Sequence, residues 1–330
     1  MLSDAFGRVV NYLRVSVTDR CNLRCLYCRP THDFQALSHN DILSYEEYLR
    51  VIQLAAPLGL AKVRLTGGEP LARRGFPGFL ERVITMAPHL DLRLTTNGTL
   101  LAGQARLLAS VGLKAVNISL DSLNPKTFER VTGLDMLAQV RRGVDECLAA
   151  GLRVKINAVA LRGINDAELP QFIDLARQLG VDVRFIEFMP IGGETAWDER
   201  LFWPAGDLLA EAARHATLTP VAQADGSRGP ARLWRIDESP GRLGVISGLS
   251  GHYCGSCNRL RLTCDGRLRP CLYSDVEYRL RPLLRSPKID DEHLLTVIRR
   301  ALARKPMGHL LLEERAKRSV CGKAMTAIGG

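Results

Sequence analysis

The sequence has no long hydrophobic runs, and aromatic residues make up only 6% of its 330 residues. No apolar stretch approaches the ~18 residues that a membrane-spanning helix needs. The N-terminus also lacks the basic segment, apolar stretch and cleavage site of a secretory signal. These absences predict a cytoplasmic protein with no membrane partner.

The nine cysteines do not indicate a secreted disulfide framework. Such frameworks are typical of chains below ~100 residues, which cannot bury much apolar surface. This chain is 46% hydrophobic and long enough to form a large core. Several cysteines are clustered at the spacing of metal ligands, so we expect a reducing environment.

The formal net charge of +10 would suit a nucleic acid, a membrane surface or an anionic small molecule. The arginines are scattered rather than packed into one tract, so a generally basic surface is an equal alternative. Aromatic residues are sparse for stacking on bases, and we expect no nucleic-acid partner. Arginines beside the cysteine clusters suit phosphate oxygens, because the guanidinium group is a planar fork of donors.

Short β-branched runs alternate with longer amphipathic stretches, as in repeated β–α units around a parallel sheet. One helical pattern covers Ser44–Ala56, with Ser44 as the predicted N-cap and Glu47 three residues later. The six units predict an α/β fold built as a partial (β/α)6 TIM-like barrel. The predicted strands are Tyr12–Val17, Lys62–Leu65, Asp91–Thr95, Ala115–Ser119, Arg153–Val159 and Asp182–Phe188.

Polar and glycine-containing motifs follow the first four predicted strands. They are the cysteine loop at 21–28, Thr66–Pro70, Thr95–Gly98 and Ser119–Ser122. In α/β barrels the active site lies at the C-terminal ends of the strands. The sequence therefore predicts a site on one rim of the barrel.

The run Cys21-Asn22-Leu23-Arg24-Cys25-Leu26-Tyr27-Cys28 has C-x3-C-x2-C spacing. Three thiolates bound to a four-iron cluster leave one iron open for another ligand. Structural zinc needs a closed tetrahedral shell, and a redox dithiol needs only two sulfurs. The spacing therefore favours a cluster with one open iron.

With Tyr27 as the aromatic residue before the third cysteine, this motif resembles that of the radical S-adenosylmethionine (SAM) enzymes. The resemblance implies a [4Fe–4S] cluster on Cys21, Cys25 and Cys28, whose open iron binds SAM. An electron from the cluster then cleaves SAM to a 5′-deoxyadenosyl radical. The residues implied to contact SAM are Tyr27, Gly68, Ser119 and Met189.

Beyond residue 190 the β–α alternation weakens, and Cys254, Cys257 and Cys271 form a second group with C-x2-C-x13-C spacing. We therefore expect a barrel core at 1–190 and a C-terminal domain at 191–330. From spacing alone a zinc knuckle is an alternative, with Cys264 or His252 as the fourth ligand. Of the cysteines left outside both sets, Cys264 is expected to be buried or at a sheet edge, Cys147 to lie in the core, and Cys321 to have no partner at ligand spacing.

The residues around the second group resemble the GTP 3′,8-cyclase (MoaA) family of molybdenum-cofactor biosynthesis. The resemblance rests on 257–263 and 268–272, and it extends over essentially the whole chain through 11–21, 116–123, 154–157 and the terminal Ile328-Gly329-Gly330. The segment Arg29–Asn40 departs from the family pattern but carries no predicted ligand.

This second resemblance implies a lyase that removes hydrogen from C3′ of GTP, after which C3′ attacks C8. Reduction and protonation of the cyclised radical then give (8S)-3′,8-cyclo-7,8-dihydroguanosine 5′-triphosphate. A second [4Fe–4S] cluster on Cys254, Cys257 and Cys271 is implied to bind the guanine. The residues implied to bind GTP are Arg14, Arg64, Thr95, Lys155, Arg259, Leu260 and Arg261.

The residues themselves support part of this assignment. Arg14 and Arg64 lie in apolar strand patterns, where an unpaired charge would be costly, so each predicts an anionic partner. Arg259 and Arg261 are two residues apart and would project to one side of an extended segment. Lys155 can equally be a solvated strand residue.

The terminal Gly329 and Gly330 would ordinarily be a frayed end. The resemblance instead implies a catalytic tail that enters the active site beside Arg14 and Arg261, where only glycine fits. It also implies a homodimer, a flavodoxin or ferredoxin-like electron donor, and cyclic pyranopterin monophosphate synthase (MoaC) as the downstream partner.

Two rival functions remain open from the sequence. A radical SAM maturase of peptides also carries a cysteine-rich extension, although it normally has more cysteines there. The second rival is a nucleic-acid-binding protein stabilised by a bound metal. It would contain zinc, bind RNA or DNA with salt-dependent affinity and not cleave SAM.

Overall fold

The computed structural model describes residues 2–28, 35–192, 197–222, 229–314, 321–323 and 325–329. Its strands belong to one mixed sheet. In chain order they are β1 (Tyr12–Ser16), β2 (Lys62–Thr66), β3 (Asp91–Thr96), β4 (Ala115–Ser119), β5 (Arg153–Ala160), β6 (Asp182–Glu187), β7 (Leu218–Pro220), β8 (Arg232–Ile236), β9 (Arg242–Ile246), β10 (Arg259–Leu262), β11 (Arg267–Arg269) and β12 (Tyr278–Arg279).

The helices connect these strands and cover the sheet. In the described ranges, no helix has both the length and the apolar composition needed to cross a lipid bilayer. The helices are α1 (Tyr45–Ala55), α2 (Phe76–Met86), α3 (Ala105–Ser110), α4 (Pro125–Thr132), α5 (Leu137–Ala149), α6 (Leu169–Leu179), α7 (Ala205–Ala212), α8 (Arg281–Leu284), α9 (Asp291–Ala303), α10 (Gly308–Glu314) and α11 (Met325–Ile328).

Strands β1 to β6 pair in sequence order and are all parallel. They confirm the six predicted strands, whose ends differ from the observed ends by at most one residue. Helical crossovers return the chain between successive strands, as parallel pairing requires. The predicted partial barrel is therefore confirmed.

The C-terminal region extends this sheet at both edges. Strand β10 pairs in parallel with β1, and β9 pairs in parallel with β6. Antiparallel strands β11 and β12 continue beyond β10, while β8 and β7 continue beyond β9. Eight parallel strands thus form an open barrel, and the sheet runs across the predicted boundary at residue 190. The two-domain division stays a prediction.

Buried apolar residues alternate with half-buried polar residues along the strands, and the two sets face the core and the concave face respectively. In β5, Val154, Ile156 and Ala158 are buried beneath the helices, whereas Lys155 and Asn157 are half-buried and line a cavity. Because successive side chains in a strand point to opposite faces, the apolar residues make the core and the residues between them make the site.

Helix α1 shows how local sequence fixes the start of an element. Ser44 accepts a hydrogen bond from the Glu47 backbone N–H (3.2 Å), and the Ser44 N–H donates to the Glu47 carboxylate (2.6 Å). This is the capping box expected from the sequence, and it satisfies two N–H groups that a helix end otherwise leaves unpaired.

We predict that Ser44→Ala lowers the free energy of unfolding by ~1 kcal/mol, because an N-terminal cap is lost. The shift is measured in urea denaturation. Ser38→Ala is the matched control, because Ser38 is exposed and its hydroxyl bonds to the Asp41 side chain at 2.8 Å rather than to a helix N–H. Its effect should stay within about 0.5 kcal/mol. Equal losses in both variants would contradict the prediction.

Candidate active site

One cavity of about 740 Å³ occupies the concave face of the open barrel. Its lining includes residues from each of the eight parallel strands and from the loops that follow β1 to β4. The cavity therefore includes the predicted rim, and the assignment of the site to this rim stays a prediction. The cavity also extends downward to the N-terminal ends of strands, where Lys62 and Asp91 line it.

Cys21, Cys25 and Cys28 line this cavity on the loop after β1. The Leu23 backbone N–H lies 3.4 Å from Cys21 Sγ, and the Asn97 amide lies 3.6 Å from the same sulfur. Burial raises the pKa of the Cys25 thiol well above its usual range, and neighbouring Asp121, Cys28 and Cys21 raise it further. Ionising all three thiols therefore requires a bound cation, which an iron cluster would provide.

The loop with Gly67 and Gly68 packs directly against the backbone that leads to the cysteines. A Cβ on Gly68 would lie 2.2 Å from the Arg20 carbonyl oxygen, and one on Gly67 would lie 2.5 Å from that of Thr18. The Gly68 N–H donates to the Thr18 carbonyl at 2.6 Å. Glycine is therefore needed here for close packing, in addition to the predicted SAM contact.

Glu69 joins this loop to the next one. Its buried carboxylate accepts hydrogen bonds from the Leu71 N–H, the Thr96 hydroxyl and the Asn97 N–H, at 2.8 to 3.0 Å. Burial raises the pKa of Glu69 to about 7. The three hydrogen bonds favour the charged form and lower the pKa, but burial has the larger effect. The carboxylate thus holds the loops after β2 and β3 together behind the first cysteines.

The predicted SAM residues Tyr27, Ser119 and Met189 all line the cavity with Gly68. The Tyr27 hydroxyl donates to Asp121 at 2.6 Å, which fixes the ring beside the cysteines. Burial raises the pKa of Asp121 to about 6, although the bond from Tyr27 lowers it. Asp121 lies in the predicted rim segment Ser119–Ser122, but the sequence assigned it no role.

Cys254, Cys257 and Cys271 lie together at a smaller adjoining cavity. A Cβ on Gly308 would lie 2.9 Å from Cys271 Sγ and 3.5 Å from Cys254 Sγ, so these two sulfurs face one space. Lys305 Nζ lies 3.5 Å from Cys257 Sγ, and Arg259 Nη2 lies 3.6 Å from it. Burial raises the pKa of the Cys257 thiol, but Arg259 and Lys305 outweigh it and lower the pKa to about 6.

These contacts stabilise a thiolate, the form in which cysteine binds metal. Within the described ranges, no group of three or more His, Cys, Asp or Glu side chains is placed to hold a single metal ion.

The cysteines outside the triads have other environments. Cys147 is buried in the core, as predicted. Cys264 is also buried, and its carbonyl accepts a hydrogen bond from the Leu43 N–H. It lines neither the main cavity nor the smaller one, and burial raises its pKa to about 12. Cys321 is buried beside Arg269, whose Nη2 lies 2.9 Å from its sulfur.

A band of cations crosses neighbouring strands at matching positions. Arg14 is in register with Arg64 on one side and with Arg261 on the other. Burial is the main cause that lowers the pKa of Arg14 to about 9, and the charge of Arg261 is the second. Burial and the charge of Arg259 lower the pKa of Arg261 to about 10. Like charges held this close in a buried site favour binding of an anion with several charges.

The other predicted nucleotide residues extend this band. The Arg64 guanidinium donates to the Thr95 hydroxyl at 2.9 Å. Leu260 has its side chain in the core, which leaves only its backbone available to a ligand. Lys155 lines the cavity, where burial and the charge of Arg184 lower its pKa to about 8, against the attraction of Asp182.

Sequence reasoning missed Arg93, Arg184 and Arg242, which also line the cavity. Asp182 lies 2.7 Å from both Arg184 and Arg242, and Asp91 lies 2.7 Å from Arg93. Each of these arginines is near a carboxylate in sequence or across the sheet. One pattern in the sequence could have indicated them. Each lies in a strand where alternate residues are apolar, so its side chain points away from the apolar face.

Some buried polar atoms of the cavity residues have no protein partner among the described residues. They are Arg184 Nε, Asn117 Oδ1 and Asn157 Oδ1. Buried polar groups are usually hydrogen-bonded, so these atoms indicate where a polar ligand or water binds. Both asparagines lie on the strands next to the cation band.

The C-terminal tail reaches the cavity. The Gly329 carbonyl accepts a hydrogen bond from Arg261 Nη1 at 2.5 Å. Gly329 has a φ of +75°, and a Cβ there would lie 2.8 Å from Thr66 Cγ2 and 3.2 Å from Ser16 Cβ. Glycine is therefore required by both conformation and space. Gly330 and residues 29–34 of the divergent loop lie outside the described residues.

Two family models match the chain. The radical SAM superfamily matches residues 15–200, and the family described as Molybdenum Cofactor Synthesis C matches residues 181–311. The first match begins within β1 and covers β2 to β6, and the second covers β6 and the strands added at both edges of the sheet.

Relatives named GTP 3′,8-cyclase match over the whole length. One from Desulforamulus reducens is 42% identical over 99% of each chain, and one from Geobacter sulfurreducens is 43% identical over 100% of this chain and 99% of its own.

A solved structure of Streptococcus suis SuiB bound to S-adenosylmethionine has a TM-score of 0.62 at 14% identity, covering 85% of this chain. This chain spans 64% of that one. A second, of SuiB bound to its precursor peptide, has a TM-score of 0.64 at 14% identity and covers 97% of this chain and 76% of that one. At this identity the likeness shows a shared fold.

We predict that Gly68→Ala prevents assembly of the first cysteine site, because the new Cβ would collide with the Arg20 backbone. After anaerobic reconstitution with iron and sulfide, iron bound per chain should fall by about half, since the second triad is untouched. Gly78→Ala in α2 is the matched control, because a Cβ there meets nothing within 4 Å. Full iron in Gly68→Ala would contradict the prediction.

Proposed function

The chain belongs to the radical SAM superfamily and, within it, to the GTP 3′,8-cyclases, and we propose that it converts GTP to (8S)-3′,8-cyclo-7,8-dihydroguanosine 5′-triphosphate. This is the first step of molybdenum-cofactor biosynthesis, catalysed by a lyase. One observation carries the proposal: a single cavity joins the first cysteine triad, the band of cations and the arginines beside the second triad.

The two triads suit two [4Fe–4S] clusters. Cys21, Cys25 and Cys28 would hold the first, and SAM would lie among the four predicted contact residues beside it. When bound, the first cluster and SAM supply the radical that removes hydrogen from C3′ of GTP. The second triad would hold a cluster at the far side of the cavity, next to Arg259 and Arg261.

The protein's own contribution is to bind and orient GTP between these two places. Arg14, Arg64, Arg259, Arg261 and Lys155 present positive charge from β1, β2, β10 and β5 to one space. A triphosphate there would relieve their mutual repulsion and accept charge-assisted hydrogen bonds. Because both ends of the nucleotide would be held, the ribose would lie in a fixed orientation.

Arg259 connects the nucleotide site to the second triad. Its guanidinium lies 4.6 Å from the Tyr253 ring centroid and 3.6 Å from Cys257 Sγ. Burial lowers the pKa of Arg259, but the Cys257 thiolate outweighs burial and raises it above its usual range. Arg259 therefore stays charged, and we propose that it holds a phosphate of GTP while the second cluster binds the guanine.

The tail supplies the last part of the site. We propose that Gly329 sets the orientation of Arg261 through its carbonyl, and that both Gly329 and Gly330 are needed for catalysis. The contact between Gly329 and Arg261 supports this role, because it places the tail beside the cation band.

Family membership also supports the cellular context. We propose a cytoplasmic enzyme that passes its product to cyclic pyranopterin monophosphate synthase (MoaC) and receives electrons from a flavodoxin or ferredoxin-like protein. We also propose a homodimer. Membrane and nucleic-acid partners are not part of the proposal.

Modification of peptides is the second candidate, because SuiB has the same fold and was solved with a precursor peptide. Identity of 42% to a GTP 3′,8-cyclase over the whole length favours the nucleotide, as does the band of cations.

The proposed activity is tested by anaerobic reconstitution followed by SAM, GTP and dithionite. We expect both 5′-deoxyadenosine and the cyclised nucleotide by chromatography. Deoxyadenosine formed with a peptide but not with GTP would favour the second candidate. Neither product from protein that holds both clusters would overturn the proposal.

We also predict that GTP affinity falls above about pH 8. The pKa of Lys155 is about 8 in the free protein, and a bound anion raises it, so GTP binding takes up a proton above that pH. Above pH 8, the affinity for GTP should therefore decrease by up to about tenfold per pH unit through Lys155 alone.

The measurement is the Kd for GTP of anaerobic protein at a series of pH values. Arg14 also has a lowered pKa of about 9, so wild type must be compared with Lys155→Gln. The GTP affinity of Lys155→Gln should be lower at neutral pH and should depend less on pH. Lys288→Gln, at an exposed site, is the control. Parallel curves for wild type and Lys155→Gln would contradict the prediction.

A further inference from the structure

The chain returns to the barrel rim at its C-terminal end and is held there by backbone hydrogen bonds. Cys321 forms a parallel bridge with Ile191, and the Gly192 N–H donates to the Cys321 carbonyl at 2.8 Å. The Gly322 N–H donates to Asp275 Oδ1 at 3.1 Å. This segment is therefore fixed to two separate parts of the fold before the tail enters the cavity.

A partly buried ion network fixes the next residue, Lys323. Its Nζ lies 2.8 Å from Glu277 Oε2. Glu277, which is nearly buried, also accepts from Arg269 and lies 3.2 Å from Arg267. Arg269 is completely buried, and its Nη2 donates to the Ser274 carbonyl at 2.5 Å. Glu277 is thus the point at which the cations of β11 meet the cation of the tail.

The network is balanced in charge. Three cations face three carboxylates: Arg267, Arg269, Lys323, Asp265, Asp275 and Glu277. Glu277 is the nearly buried carboxylate on which Arg267, Arg269 and Lys323 converge, and removing Lys323 takes away a charged contact between this segment and Glu277. Loss of Lys323 would therefore weaken the attachment of the tail while leaving the arginine pairs of β11 in place.

Only the short helix α11 separates this network from the active-site contact of the tail. Its Ile328 packs with Ile191 and Tyr273, and the next residue, Gly329, bonds to Arg261. Because Gly329 is closely surrounded, a small shift at Lys323 would move its carbonyl away from Arg261. The network and the contact are two fixed points on one short segment.

We propose that Glu277 and Lys323 are positioning residues that dock the C-terminal tail in the active site. This inference rests on the proposed function in one respect, namely that the docked tail promotes cyclisation. The docking itself is a property of the fold. Arg269 precedes the second-triad residue Cys271 by two positions, so the docking site is built on the segment that leads into that triad.

The test uses the reconstituted full-length protein and four variants. Lys323→Met removes the cation, Lys323→Arg conserves it, and Glu277→Gln removes the carboxylate. Lys288→Met is the control, because Lys288 is exposed and distant in sequence. Should Glu277→Gln fail to fold because Arg269 loses its partner, the Lys323 pair still decides the question.

Two quantities are measured: hydrogen exchange of the peptide containing residues 321–329, and the cyclised nucleotide formed per 5′-deoxyadenosine. In Lys323→Met we expect about tenfold faster exchange of that peptide, with other peptides unchanged. Product per deoxyadenosine should fall severalfold, whereas a general loss of structure would lower both products together. Lys323→Arg should restore both quantities.

Unchanged exchange in Lys323→Met would overturn the docking role whatever the activity. Faster exchange with a normal ratio of products would overturn the link to cyclisation. If the wild type formed no cyclised nucleotide, the proposed function would fail, and the exchange measurement would still confirm or refute docking.

Discussion

The site depends on one constraint, which is the pairing of parallel strands with cationic side chains in register on the concave face. Pairing places Arg14 between Arg64 and Arg261, and the pleat directs all three to the same side. Such crowding is unfavourable in the free protein, as the lowered pKa values of Arg14 and Arg261 indicate. The fold therefore holds these arginines in mutual repulsion, and binding of a polyanion would relieve it.

The loops at the rim meet a different constraint, which is close packing. Gly67 and Gly68 let the loop after β2 lie against the backbone of residues 18–20, and buried Glu69 ties that loop to the one after β3. The first cysteines are thus held by backbone contacts from behind. Their sulfurs remain available on the cavity side.

The C-terminal region completes the site from both edges of the sheet. Strand β10 brings Arg259 and Arg261 next to β1, and β9 brings Arg242 next to β6. The tail then returns to Arg261. A site formed in this way couples distant parts of the chain, because the same strand region carries Arg259, Arg261, the second cysteine triad and the contact to the tail.

The sequence by itself determined the six core strands, the capping box at Ser44, both cysteine triads and the rim loops, because each depends on short-range periodicity or spacing. It also identified Arg14 and Arg64, whose charges interrupt apolar strands. The tertiary structure alone decided that Arg93, Arg184 and Arg242 join them, since their places depend on which strands pair. It likewise decided that one sheet runs across residue 190 and that Lys323 meets Glu277, 46 residues away in sequence. Contacts at that separation are fixed by the packing of the whole chain, which no local pattern records.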